Sequence, residues 1–145
     1  MRVVVQKSCN GQVVVDGKVV GANSFGLMLL VGFTEGDSEE VMEWRAKKSV
    51  NLRIFEDTND VMNLSLLDVQ GDILSISQFT LYANCDKGNR PSYINALAGD
   101  KAVVLYKQFN EILRKYNVKV EEGIFGADMG VTFTNQGPTT ILLER

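Results

Sequence analysis

Proline inside a paired strand removes a ladder hydrogen bond and is normally kept out of sheet interiors. In residues 133–143, FTNQGPTTILL, a Gly137-Pro138 pair nevertheless stands between two apolar, β-branched runs that otherwise read as strand. Glycine relaxes the backbone, proline fixes φ, and the bond before proline is the one peptide bond for which the cis form is inexpensive. The segment therefore carries a stiff knuckle. It reads either as a tight turn between two last strands, residues 130–134 and 139–144, or as rigid backbone presented to a ligand.

The rest of the chain supplies the setting. Residues 2–8 and 12–15 are rich in β-branched side chains, and Asp16-Gly17 before Lys18 is a two-residue hairpin signal. Residues 25–33, FGLMLLVGF, are apolar almost throughout, as in a central strand covered on both faces. Asp37 and Glu40 resemble a capping box, and Val41, Trp44, Lys48 and Leu52 follow at helical spacing, which predicts a helix over 38–51 with Arg45, Lys47 and Lys48 as its solvated basic end. Residues 51–56 read as a strand and 62–67 as a short ambiguous element. Residues 73–82 read as a second long strand whose inward face changes between Ser77 and Gln78, so a bulge or bend is expected there. After a polar loop at 84–91, Ala102, Leu105, Tyr106, Phe109, Ile112, Leu113 and Tyr116 mark an amphipathic helix over 100–116. A strand at 118–122 follows. The expected fold is a single α+β domain over 1–145: a strongly curved, barrel-like antiparallel sheet with two main amphipathic helices packed outside.

Composition limits the chemistry. The 145 residues include no histidine, which removes the usual general base and the commonest metal ligand. A Ser-His-Asp or Cys-His hydrolase and a histidine zinc site are excluded; no metal or cofactor is expected. A net charge of −3 argues against an extended nucleic-acid footprint, though not a small one. No apolar run approaches the ~20 residues of a spanning helix, and the opening strand lacks leader features, so a cytoplasmic protein without membrane contact is expected. Cys9 and Cys85 read as free thiols.

Two polar constellations stand in strand-like settings, Ser77-Gln78-Phe79-Thr80-Leu81 and Asn135-Gln136-Gly137-Pro138-Thr139-Thr140. Hydroxyls and amides in such places need partners. Taken singly, each reads equally as satisfied core polarity or a solvent-facing residue. Together they closely resemble the two signature motifs of the D-aminoacyl-tRNA deacylase family, and the likeness extends to residues 1–6, 51–55, 62–66, 90–93 and 125–129, FGADM.

The resemblance implies a homodimer that hydrolyses the ester between a D-amino acid and the 3′ end of tRNA, the aminoacyl-adenosine being its ligand. It implies a cis Gly137-Pro138 bond, entering the pocket of the other subunit and screening chirality through main-chain atoms. Ser77, Gln78, Phe79 and Thr80 are then the expected catalytic segment, and Met129, Asn135, Gly137, Pro138 and Thr140 the substrate-binding residues. With no histidine, hydrolysis is expected to draw on the ribose 2′-hydroxyl and on an oxyanion hole of backbone N–H groups around Phe79 and Thr80; Thr80 as a covalent nucleophile is the alternative. Lys47, Lys48, Lys87 and Arg90 are candidates for phosphate contacts. Thr139 departs from the family's common valine and Lys7 from its arginine, so Lys7 is expected to make a less constrained contact to the Gly-Pro loop. The rival readings are a non-catalytic RNA-end or nucleotide-binding dimer and a structural dimer whose polar strand residues satisfy one another.

Overall fold

The computed structural model describes residues 1–144. Strands β1 (Arg2–Val15) and β2 (Lys18–Gly32) form one long antiparallel hairpin. Asp16 and Gly17 close it with φ of 49° and 75°, the left-handed pair that matches the twist of the flanking strands. Helix α1 (Glu39–Asn51), the small hairpin β3 (Phe55–Glu56) and β4 (Met62–Leu64), and strand β5 (Asp72–Ser77) come next. Helix α2 (Gly99–Arg114), strand β6 (Val120–Glu122) and the long strand β7 (Gly130–Leu143) complete the chain. The main sheet has the order β6-β5-β2-β1-β7, which puts β2 at the centre.

The sheet departs from the sequence expectation. β7, β1 and β2 pair antiparallel, but β2 with β5 and β5 with β6 are parallel, so the sheet is mixed. Parallel neighbours need a crossover, and both expected helices serve as one: α1 lies between β2 and β5, and α2 between β5 and β6. The order is open, with β6 and β7 as edges, and no pairing among the described residues closes it into a barrel.

Alternation along β2 sends Leu27, Leu29 and Val31 toward the helices, where they join Val3, Val5, Ile73, Tyr106, Phe109 and Leu113 in the main core. Met28 points the other way, into a smaller cluster with Val13, Leu74 and Ile76, against which Met129, Val131 and Phe133 pack.

Helix α2 buries the expected stripe, with Ala102, Tyr106, Phe109, Ile112 and Leu113 inside. Helix α1 does not. Its inward face is Met42, Arg45, Ala46, Ser49 and Val50, while Val41 and Leu52 pack at the rim of the core, Trp44 is half-buried and Lys48 is exposed. Arg45 is not at a solvated end: its guanidinium donates to the carbonyl of Met1 at 2.8 and 3.2 Å, and Ser49 donates to the carbonyl of Arg45 at 2.8 Å. Polar side chains that meet backbone acceptors can lie inside, where hydropathy alone would not put them. The cap also shifts by one residue. Ser38 accepts from the Val41 amide, whereas the Asp37 carboxylate takes the Thr34 amide and the Met1 ammonium.

Candidate active site

The predicted change of face in the second polar strand is a strand end. β5 stops at Ser77, Gln78 adopts φ −144° and ψ 83°, and Phe79–Tyr82 wind into a 3-10 turn rather than extending the strand. The Gln78 amide donates to the Val31 carbonyl at 2.7 Å, which seats the turn on β2. This close approach needs Gly32: a Cβ there would come within 2.8 Å of the Gln78 carbonyl oxygen. A glycine inside an apolar strand is the sequence signal that could have located this wall.

A cleft of ≈ 490 Å³ opens beside the turn. Ser77, Gln78 and Phe79 line it on one side and Met129 on another, so four of the expected site residues meet. The remaining walls come from residues 31–33, the start of α2 and residues 125–128, which sequence reasoning did not single out as site residues. Thr80 does not line the cleft; its hydroxyl accepts from the Gln78 side-chain amide and holds it at the turn. Phe79 is 57 % exposed at the rim and meets the edge of Tyr93 with ring centroids 4.9 Å apart. Tyr93 follows the exposed loop that carries Lys87 and Arg90, closed by the Asn84–Ser92 bridge. Lys47 and Lys48 lie on α1 and form no part of the cleft wall.

The second motif sits elsewhere in the chain. β7 pairs with β1 up to Asn135 opposite Ser8 and resumes with Thr140 opposite Gln6, so residues 136–139 bulge out across from Lys7. Because one partner strand holds both halves in the same direction, this is a bulge within a single strand and not a turn between two. The Gly137-Pro138 bond is cis, with Gly137 at φ 122°. Side chains brace the bulge from its base: the Thr140 hydroxyl accepts from Asn135 at 3.0 Å and from Gln6 at 3.1 Å, and the Asn135 carbonyl oxygen accepts the Thr139 amide at 3.0 Å. Gln136, Gly137 and Pro138 are exposed. None of Asn135, Gly137, Pro138 and Thr140 lines the cleft of its own chain.

Thr139 turns inward under the knuckle, and among the described residues its hydroxyl has no hydrogen-bond partner. A buried unpaired hydroxyl costs its full desolvation. Thr139→Val is therefore expected to raise stability by about 1 kcal/mol, read as a higher urea midpoint at unchanged slope. A lower midpoint would mean that the hydroxyl has a partner after all.

Lys7 makes no hydrogen bond to the Gly-Pro bulge among the described residues. Its buried ammonium instead bonds both carboxylate oxygens of Glu56 on β3, at 2.8 and 2.6 Å, and lies over the Phe55 ring. That hydrogen bond to Lys7 holds the Glu56 carboxyl below its ordinary value of 4.5. A carboxyl depressed in the fold binds its proton more readily in the unfolded chain, so its contribution is complete above the unfolded value and disappears as pH falls through the folded one. The stability gap between the parent chain and Glu56→Gln should be widest near neutrality and close on acidification below about pH 4.5. Urea midpoints measured across that interval check it; a constant gap would contradict the linkage.

The profile of D-Tyr-tRNA(Tyr) deacylase matches residues 4–144. The chain belongs to the D-Tyr-tRNA(Tyr) deacylase family. Among relatives of this deacylase, the D-aminoacyl-tRNA deacylase of Bacillus cytotoxicus is 54% identical over 144 residues and covers 99% of both chains. That of Clostridium botulinum strain Langeland is 51% identical, over 99% of this chain and 97% of its own. A solved structure described as the c-Myc DNA Unwinding Element Binding Protein superposes with a TM-score of 0.93 at 37% identity, over 100% of this chain and 99% of that one. A probable eukaryotic D-amino acid tRNA deacylase shares the fold at a TM-score of 0.83 and 22% identity, over 98% of this chain and 97% of its own. As a member of the family, the deacylase is a hydrolase acting on aminoacyl-tRNA.

Proposed function

We propose that the chain works as a cytoplasmic homodimer that hydrolyses the ester between a D-amino acid and the 3′ end of tRNA, and that the Gly137-Pro138 knuckle of the partner subunit completes each cleft. One observation carries this reading. The knuckle is exposed yet braced from below by Asn135, Thr140 and Gln6, and it lines no part of its own chain's cleft. A stiff projection on one copy and a cleft lacking it on the next are complementary.

Within the completed site the main chain does the sorting. Fixed backbone leaves no room for the side chain of an L-aminoacyl group, while a D side chain points outward whatever its identity. Ser77 and Gln78 hold the terminal nucleotide, with Met129 on the facing wall. The exposed Phe79–Tyr93 pair offers the base an aromatic surface, with Lys87 and Arg90 beyond it for phosphates. The amides of Phe79 and Thr80 open the 3-10 turn and have no acceptor within it, so they are free by geometry to receive the oxyanion. The ester is activated and the neighbouring ribose hydroxyl assists its own cleavage, so no imidazole or metal is required.

A second reading is a non-catalytic RNA-end or nucleotide-binding dimer of the same fold; the neighbour described as a c-Myc DNA Unwinding Element Binding Protein favours a binding role. The deciding experiment incubates a trace of protein with D-Tyr-tRNA and with L-Tyr-tRNA. Release of many equivalents of tyrosine from the D ester alone supports hydrolysis; protection at one equivalent per site supports the binder.

A further inference from the structure

Tyr106 is 2 % exposed at the heart of α2 and does not line the cleft, yet its hydroxyl donates to the carbonyl of Ser75 at 2.7 Å. The same carbonyl accepts the Gly123 amide at 3.1 Å. Ser75 lies two residues before Ser77 on β5, and Gly123 begins the segment that leads into the cleft wall at residues 125–129. One carbonyl oxygen thus joins a helix, the strand that delivers Ser77 and Gln78, and the opposing wall. The Tyr106 ring adds a second tie, packing against Phe125 of that wall with centroids 5.9 Å apart. Asn110, one turn further along α2, is fully buried beside this arrangement.

Resting on the proposed deacylation, we infer that Tyr106 is a positioning residue for the reaction: it fixes the spacing between the Ser77-Gln78 segment and the Phe125 wall without touching substrate. A merely space-filling tyrosine has no need to place its oxygen on this carbonyl, because a phenylalanine ring fills the same volume. Burial raises the pKa of the phenol above its ordinary 10.0, so the group remains a donor throughout the range in which the ester can be assayed.

The test is Tyr106→Phe in the full chain, read in two ways. Amide hydrogen exchange should quicken at Gly123, whose N–H shares the Ser75 carbonyl, and at Gln78, three residues further along the same segment, with Phe109 and Leu113 of α2 unchanged. Turnover of D-Tyr-tRNA should lose about tenfold in kcat with KM and the shape of the pH profile unchanged. Unchanged exchange and unchanged kcat would overturn the inference; so would exchange that quickens over all of α2, the mark of general loosening. Should the phenylalanine variant fold poorly, Phe125→Leu keeps the hydroxyl in place and removes the ring contact; because Phe125 also lines the cleft, hydrogen exchange alone is read in this variant. Gly123 should stay protected; loss of that protection would overturn the assigned role of the hydroxyl. If the parent chain releases no tyrosine at all, the proposed function fails, while the exchange data still decide whether Tyr106 holds the two walls.

Discussion

Gly137→Ala should cost about 100-fold in kcat/KM on D-Tyr-tRNA, since an error of about 1 Å in a positioning group has that order of effect. Gly137 sits at φ 122°, a conformation L residues rarely adopt, and a Cβ there would stand 2.8 Å from the Thr139 hydroxyl oxygen and 3.2 Å from its amide nitrogen. Neither neighbour can retreat easily. Thr139 is buried, and its amide is held by Asn135 at 3.0 Å. The added methyl must therefore push the knuckle itself, and the knuckle is what the proposed site uses to distinguish enantiomers. Because Gly137 is solvent-exposed and outside both apolar clusters, global unfolding should shift by no more than the local strain of about 1–3 kcal/mol. Turnover of D- and L-Tyr-tRNA, measured beside thermal unfolding, separates the two effects. A folded variant that still discriminates as well as the parent would remove the knuckle from the mechanism.

The second large effect lies on the substrate. A tRNA ending in 2′-deoxyadenosine should be deacylated about 100-fold or more slowly, whereas Thr80→Ala should lose less than about tenfold. The Thr80 hydroxyl accepts from the Gln78 amide and does not line the cleft, and the sequence contains no histidine to take its proton. A threonine in that setting is a poor nucleophile. Removing it relaxes the Gln78 side chain, which accounts for the modest loss. The reverse pattern, with a deoxy substrate that reacts normally and an inert Thr80→Ala, would transfer the chemistry to Thr80.

Much of this arrangement was legible in the residues. The Asp16-Gly17 hairpin, the α2 stripe and the break after Ser77 each follow from a local signal: left-handed turn residues, a 3.6-residue period, a slipped alternation. The parallel half of the sheet was less legible, because local alternation says nothing about which neighbour a strand takes; the two helices, read as outer cover, held that information as crossovers. α1 turns a different face inward because Arg45 is satisfied by the Met1 carbonyl, which only the tertiary fold supplies, and Ser49 by the Arg45 carbonyl one turn back in its own helix. The Gly-Pro segment reads locally as a tight turn between two strands or as backbone presented to a ligand, and not as a bulge inside one continuous strand, since its two halves are held together by β1, more than a hundred residues away in sequence. Of the cleft lining, Ser77, Gln78, Phe79 and Met129 are legible in the motifs, and the scaffold around them is not. Gly32 signals a close approach without naming what approaches, and Tyr106 is hidden by being a perfectly ordinary member of an apolar helix face.

The position of β7 has a further consequence for how the molecule behaves in a crowded solution. It is the outermost strand on its side of the sheet and runs for 14 residues. An edge of that length is an invitation to unwanted pairing with other chains. The outward bulge at residues 136–139, with a proline that offers no N–H, cuts this edge into two shorter stretches that cannot be zipped continuously. The corner that the proposed catalysis requires would also act as a guard against self-templated aggregation, so a variant that smoothed it into regular strand would be expected to turn cloudy sooner on warming.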